Sequence, residues 1–309
     1  MIISASYKTD IPAFYPAWFL RRLAAGYCRS VNPWGGQVYE VPLTPDAVDG
    51  FVLWTRNIRP LAPDLDRVAA VAPYVVQFTV TGYPRTLEAS TIPADQAVDD
   101  LRDLCRRAGP RVAVWRYDPV LFTSATPADW HRRNFATLAR ALAGTVDEVV
   151  VSFAHIYRKT RRNLETAATR SGLSWRDPPD DEKAALAATL AGIAAEHGMA
   201  FRVCAQAALV PTGGALARCI DADRLSAVAG RPIRAPVKGN RDDCLCHRSR
   251  DIGAYDTCPH GCVYCYAVTS PATAKLRYAA HDPEGEFLFA PAEDPQRSSA
   301  RRMPENIQR

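Results

Sequence analysis

The sequence predicts an α/β protein, a full or partial TIM-like (βα) barrel followed by an irregular C-terminal cysteine-rich metal-binding segment. Six short apolar runs alternate with helical stretches over the first two thirds of the chain, and five of the nine cysteines fall within residues 244–265. Alternating strands and helices are typical of βα units, whose parallel strands are apolar because both faces are covered. An open, doubly wound sheet is the alternative, but the chain has no GxGxxG or Walker A pattern to favour it.

The six apolar runs predict the strands of the sheet. Each is short and most are rich in β-branched or aromatic residues, as expected for a buried strand. In chain order they are 2–6, 51–55, 74–80, 111–116, 148–153 and 200–204.

Five stretches with apolar residues at three- and four-residue spacing predict helices. They are 12–25, 60–72, 93–107, 127–143 and 181–197. The first has Pro12 just inside its start, where Thr9 or Asp10 could cap it. The last ends before Gly198, a residue type common just beyond helix ends.

A change of composition near residue 231 predicts the domain organisation. Residues 1–230 would form the (βα) barrel-like domain, and residues 231–290 a cysteine-rich cluster-binding segment packed on it. Residues 291–309 are rich in Pro, Arg, Ser and Glu, which predicts a surface-hugging or disordered tail.

Composition predicts a cytoplasmic protein that makes no membrane contact. No apolar run approaches the roughly 18 residues of a membrane helix, and the N-terminus lacks the features of a secretory signal. The net charge of +5 is spread along the chain, so nucleic acid is possible as a partner but not favoured. The basic run 158–162 could contact phosphates, or it is the solvated face of a helix.

A Cys-x3-Cys-x2-Cys motif near the C-terminus is the most specific chemical signal. It comprises Cys258, Cys262 and Cys265, hereafter the C-terminal trio. Spacings this short let one loop direct several thiolates at one point. Gly261 allows the tight turn between Cys258 and Cys262, because glycine has few conformational restrictions. Iron–sulfur clusters usually have four thiolate ligands, so a trio would leave one iron free for another ligand. The trio predicts a [4Fe–4S] cluster, with structural zinc as the alternative.

Four other cysteines are candidates for a second site. Cys244 and Cys246 precede the trio closely, Cys204 ends the sixth predicted strand, and Cys219 follows a Gly-Gly loop. They would ligate a second iron–sulfur cluster or zinc, or one of them would close the trio's cluster as a fourth ligand. Isolated Cys28 and Cys105 are interpreted as buried core residues.

Polar side chains cluster where the predicted strands end. In barrels, catalytic groups come from the carboxyl ends of strands and the loops after them. The candidate catalytic residues are Lys8, Asp10, Arg56, Arg116 and Asp118, and the candidate cofactor-binding residues are Asn57, Gln77, Thr79, Ser152 and Gln206. Arg56 and Arg116 suit an anionic group, because guanidinium binds carboxylate or phosphate bidentately. Structural alternatives are a bracing Arg116–Asp118 pair and a helix cap at Asp10.

The trio, with Tyr264 before its third cysteine, resembles the cluster motif of the radical S-adenosylmethionine enzymes. The whole chain resembles a bacterial family, domain of unknown function 1848. The stretches that carry this resemblance are 4–15, 51–57, 115–119, 159–164 and 251–267. The two resemblances imply a C-terminal cluster similar to the one that radical S-adenosylmethionine enzymes place after their first barrel strand. They also imply S-adenosylmethionine as a cofactor bound at the open iron.

The sequence therefore predicts an iron–sulfur enzyme of the radical S-adenosylmethionine type, acting on a small-molecule substrate. An electron donor such as flavodoxin or ferredoxin would be its partner. The alternative is an iron–sulfur or zinc protein with a binding or electron-transfer role and no radical chemistry.

Overall fold

The fold is built on an eight-stranded parallel sheet, seen in a computed structural model that describes residues 1–33 and 35–291. The strands are, in chain order, β1 (Ile2–Ala5), β2 (Tyr27–Val31), β3 (Val38–Pro42), β4 (Gly50–Thr55), β5 (Tyr74–Thr79), β6 (Ala113–Val120), β7 (Phe122–Thr123), β8 (Glu148–Phe153), β9 (Trp175–Arg176), β10 (Ala200–Val203), β11 (Ala215–Leu216) and β12 (Ser249–Asp251). The large sheet has the order β11-β10-β8-β6-β5-β4-β1-β12, while β2–β3 and β7–β9 form separate antiparallel pairs.

Helices connect most of the parallel strands. They are α1 (Ile11–Phe14), α2 (Pro16–Ala25), α3 (Leu65–Val71), α4 (Ala94–Ala108), α5 (Ala128–Leu142), α6 (Arg158–Ser171), α7 (Asp180–Glu196), α8 (Ala222–Ala229) and α9 (Pro271–Ala279). Short 3-10 helices occupy Ala62–Asp64, Pro110–Val112 and Ala207–Leu209.

Both faces of the sheet are covered, which explains its apolar strands. Phe51, Val76 and Trp115 pack in the main core with residues of α2, α4, α5 and α7. On the opposite face, hereafter the inner face, Val52 and Val114 are among the valines that pack with residues of α8 and with three buried cysteines. The inner face is thus apolar near the amino ends of the strands and carries polar groups towards their carboxyl ends.

The predicted α/β class is confirmed, with a sheet that is parallel throughout. Strands β1, β4, β5, β6, β8, β10 and β11 lie side by side in chain order, without the reversal of a doubly wound sheet. In the described part of the chain, β11 and β12 are the two edges and do not pair, so no closed barrel is seen.

Element boundaries differ from the predictions for local reasons. The first predicted helix is split at Tyr15, because Pro16 has no N–H and starts a new helix. Residues 60–72 form a 3-10 turn and a shorter helix, and the fourth strand begins later, at Ala113, and runs to Val120. The predicted tail, apart from residue 291, lies outside the described residues.

The segment after residue 231 is joined to the sheet. Its strand β12 pairs in parallel with β1, with Ser4 opposite Asp251. The chain then enters the loop of the trio and ends its described part after α9. Among the described residues, no helix is both long and apolar enough to cross a membrane.

Candidate functional site

The loop of the C-terminal trio begins where β12 ends. Two backbone hydrogen bonds fasten it to the segment after β5. Val263 N donates to Leu87 O at 3.0 Å, within an antiparallel bridge between Glu88 and Cys262, and Ser90 N donates to His260 O at 2.8 Å. Gly261 has a φ of 73°, a left-handed conformation that glycine adopts without strain. The trio is therefore held at the carboxyl edge of the sheet.

The three thiols of the trio are half-buried and close enough to interact electrostatically. Burial raises the pKa of Cys262 to about 12, and it also raises the pKa values of Cys258 and Cys265. Without a metal the trio is thus a set of neutral thiols, and a bound cation would be needed to hold them as thiolates.

Arg56 links the end of β4 to the trio's loop. Its Nη1 donates to Glu88 Oε1 at 2.8 Å, and its Nη2 donates to the Tyr264 hydroxyl at 2.6 Å. The Tyr264 hydroxyl donates in turn to Glu88, which also accepts from Thr81 Oγ1 at 2.7 Å. The guanidinium lies near enough to the Cys262 thiol to lower its pKa against the effect of burial. Arg56 therefore braces the loop and adds positive charge beside the trio.

Asp10 is both a helix cap and a partner of the trio's loop. Its Oδ1 accepts from Ala13 N at 2.9 Å, which confirms the predicted cap. Its Oδ2 accepts from Arg56 N at 2.8 Å and lies 2.8 Å from His260 Nε2. One carboxylate thus joins the start of α1, the end of β4 and the loop between Cys258 and Cys262.

Lys8 lies on the same edge and faces Asp251, the last residue of β12. Its Nζ is 3.4 Å from Asp251 Oδ1. The same carboxylate accepts from the hydroxyls of Ser4 and Ser6, both at 2.8 Å, and from Tyr7 N at 3.1 Å. Asp251 therefore fixes the polar turn after β1.

Arg116, which is buried, and Asp118, which is half-buried, form an ion pair in the carboxyl half of β6. Arg116 Nε donates to Asp118 Oδ2 at 3.0 Å, and its Nη1 donates to Gln77 Oε1 at 3.1 Å and to Cys219 Sγ at 3.0 Å. Ser152 Oγ donates to Asp118. Burial raises the pKa of Asp118, but the charge of Arg116 and the hydrogen bonds from Arg116 and Ser152 have the larger combined effect, so the pKa is lowered. The carboxylate stays charged because its partners are in place.

The other four candidate cysteines come together on the inner face. Cys204 Sγ lies 3.5 Å from Cys219 Sγ. The Cys219 thiol also interacts with that of Cys246, which in turn interacts with that of Cys244. We call Cys204, Cys219, Cys244 and Cys246 the thiol quartet. A hydrogen bond from the Cys246 thiol lowers the pKa of Cys244 to about 6.

The remaining predicted site residues have different surroundings. Gln206 is engaged by the backbone of β8, since its Oε1 accepts from Phe153 N at 2.8 Å and its Nε2 donates to Phe153 O at 3.2 Å. Asn57 accepts from Arg59 N at 3.2 Å. Thr79 is half-buried and lies beside Arg116 on the neighbouring strand.

The predicted residues thus fall into two groups at one edge of the sheet. Asp10 and Arg56 border the trio, and Lys8 contacts Asp251 at the start of the trio's loop. Gln77, Arg116, Asp118 and Ser152 border the thiol quartet. Within residues 1–33 and 35–291, no three or more His, Cys, Asp or Glu side chains are arranged to hold a metal ion as they stand.

Sequence reasoning missed three residues that contact the site. Glu88, His260 and Asp251 are buried and bond to Arg56, Asp10 and Lys8 respectively. His260 lies within the cysteine motif and could have been singled out there. Glu88 and Asp251 gave no local signal, because their importance depends on long-range contacts.

Comparison with known proteins supports the family assignment. None of the curated proteins matches the chain. One family model matches residues 2–267, a span that includes all the strands of the large sheet, the trio and the thiol quartet. The chain therefore belongs to the family described as a domain of unknown function, DUF1848.

Proposed function

We propose that the chain is an iron–sulfur enzyme of the radical S-adenosylmethionine type, in which the C-terminal trio ligates a [4Fe–4S] cluster. When bound and reduced, such a cluster supplies the electron that cleaves S-adenosylmethionine and starts radical chemistry on a substrate. The observation that carries the proposal is a loop with three half-buried cysteines at the carboxyl edge of a parallel sheet.

The position of this loop supports the resemblance to radical S-adenosylmethionine enzymes. Those enzymes carry their cluster loop after the first barrel strand, and here β12 pairs with β1, so the loop after β12 opens beside the end of β1. The consecutive order of the other strands also favours a partial barrel. His247 N donates to Ile220 O at 2.9 Å, which joins the segments flanking the two edge strands.

The chemistry of the trio fits such a cluster. All three side chains are sulfur donors, the usual ligands of iron–sulfur clusters. Ala267 N donates to Cys265 Sγ at 3.4 Å, and a backbone N–H of this kind stabilises a thiolate. Nearby, Thr9 Oγ1 is buried and has no hydrogen-bond partner in the described part of the chain. A bound ligand would satisfy it.

Residues around the trio would bind and orient S-adenosylmethionine. Lys8 is the main candidate for its carboxylate, because an ammonium has three N–H groups and the contact with Asp251 uses one. Asn57 and Thr79 are half-buried polar groups on the same edge. The electron would come from a donor such as flavodoxin or ferredoxin, and the substrate would be a small molecule.

The first experiment is to purify the protein without oxygen and measure iron, acid-labile sulfide and the visible spectrum. We expect about four irons with matching sulfide per chain, with a broad band near roughly 400 nm. Reduced protein given S-adenosylmethionine is then expected to form 5′-deoxyadenosine or another carbon–sulfur cleavage product.

Matched cysteine variants locate the cluster. Cys262→Ala is expected to lose the iron and the cleavage activity, while Cys105→Ala, which removes a buried cysteine of α4, keeps both. Protein that takes up neither iron nor sulfide, even on chemical reconstitution, would refute the proposal. A full cluster with no cleavage of S-adenosylmethionine would favour the electron-transfer or binding role.

A further inference from the structure

We infer that the thiol quartet is a second metal site, which binds one zinc ion through four thiolates independently of the trio. The quartet assembles from three separate parts of the chain, namely the end of β10, the loop after β11 and the segment before β12. Their meeting on the inner face is a property of the fold, and no part of the proposed radical chemistry uses it.

The separation of the Cys204 and Cys219 sulfurs suits a single ion. An ion bonded to four sulfurs at about 2.3 Å holds each pair about 3.8 Å apart, and the Cys204 and Cys219 sulfurs are already 3.5 Å apart. A four-iron cluster would need wider spacing, because its iron–sulfur cube lies between the ligands. The Cys204 and Cys219 sulfurs are in contact, while the Cys246 and Cys244 thiols interact electrostatically with their neighbours in the quartet. Zinc binding therefore requires rotation of the side chains and loss of their protons.

Hydrogen-bond donors already point at the sulfurs. Arg116 Nη1 donates to Cys219 Sγ at 3.0 Å, and Arg241 Nη2 donates to Cys204 Sγ at 3.4 Å. Ile220 N donates to a third sulfur, that of Cys246, also at 3.4 Å. Four thiolates around Zn²⁺ carry a net charge of −2. Guanidinium and backbone donors are the groups that stabilise such an excess of negative charge.

The backbone beside the quartet is held in a conformation that surrounding structure must enforce. Ala205 and Asp243 each adjoin a quartet cysteine and have φ values of 50° and 58°, which are unfavourable for non-glycine residues. A Cβ at Gly239 would lie 2.2 Å from Cys244 O, so only glycine allows this approach. The segment before β12 contains little regular structure, and a zinc ion would fasten it to the sheet.

Metal analysis of two full-length variants tests the inference. The first replaces all three trio cysteines with alanine, and the second is Cys244→Ser, which changes the half-buried member of the quartet. We expect about one zinc per chain in wild type and in the trio variant. Cys244→Ser should bind zinc more than about tenfold more weakly, while keeping its iron.

Cobalt titration of metal-free wild-type protein gives a readout that does not depend on any variant folding. Four thiolate ligands should produce sulfur-to-cobalt charge-transfer bands that one equivalent of zinc abolishes. Three results would overturn the inference: wild type that binds neither zinc nor cobalt, a trio variant that still holds iron and sulfide, or unchanged zinc affinity in Cys244→Ser. A trio that lacks iron would refute the proposed function alone.

Discussion

The two groups of cysteines differ in how the chain brings them together. The trio comes from eight consecutive positions of one loop, 258–265, whereas the thiol quartet spans 204–246 and meets only when β10, β11 and the segment before β12 are in place. A local motif can bind a metal with few constraints from the rest of the chain. A quartet drawn from three segments requires the folded sheet, and a metal bound there would stabilise that sheet in return.

The arginines beside the two groups also differ. Arg56 directs its guanidinium at Glu88 and Tyr264, and it influences the trio's sulfurs through space. Arg116 donates directly to Cys219 Sγ while it also pairs with Asp118. The quartet's negative charge would therefore be compensated through hydrogen bonds. The trio's charge would be compensated by a nearby cation whose hydrogen bonds support the loop.

Replacing Arg116 is expected to have the largest effect on stability. Arg116→Met would leave the half-buried Asp118 carboxylate without its cation, and we expect a loss of about 3 kcal/mol, the lower end of the range for removing one partner of a buried pair. Urea unfolding of metal-free protein would measure this loss. The double variant Arg116→Met with Asp118→Asn should recover part of it, because no unpaired charge remains. If the double variant is as unstable as the single one, the pair is not the source of the effect.

The sequence predicts the sheet better than it predicts the second site. Runs such as 74–80 and 148–153 are mostly apolar and β-branched and became β5 and β8, because strands covered on both faces carry a strong signal. Strand β12 gave no such signal, since Ser249–Asp251 contains two charged residues. Its position beside β1 depends on the pairing itself.

The same contrast applies to the candidate site. The trio was visible because its spacing is local, but the contact between Cys204 and Cys219 follows from the position of two loops after neighbouring strands. Residue types at strand ends pointed to Arg116 and Asp118, and the bracing pair that is their structural interpretation is present. The hydrogen bond from Arg116 to Cys219 Sγ could not be predicted from the spacing of residues in the sequence.

Acid is expected to weaken the structure that supports the trio. Tyr264 packs against Tyr83, whose ring lies 5.9 Å from that of His131. Burial lowers the pKa of His131 to about 4, so this side chain is neutral when folded and binds a proton more readily when unfolded. Its contribution to stability is complete above its unfolded pKa of about 6.5 and declines as the pH falls towards 4.

Lowering the pH from 7.5 to 5 should therefore reduce the free energy of unfolding by about 2 kcal/mol, because His131 binds a proton in the unfolded chain but not in the folded one. Urea unfolding at both pH values would measure the change in wild type and in His131→Gln. The variant will be less stable at both, but its loss on acidification should be about 2 kcal/mol smaller. An identical pH dependence in the two proteins would show that another group titrates.

The smallest expected effect distinguishes backbone strain from crowding in the trio's loop. Gly261 and Gly172 have nearly the same φ, 73° and 70°, but a Cβ at Gly261 would meet Ala89 Cβ at 3.1 Å, whereas one at Gly172 meets nothing within 4 Å. Alanine at either position should cost about 1 kcal/mol for the left-handed backbone. Gly261→Ala should cost up to about 1 kcal/mol more and lower the iron content, because crowding shifts the cysteines on either side. Equal stabilities and equal iron contents would mean that the loop accommodates the methyl group, and that the trio tolerates more movement than its packing against Ala89 implies.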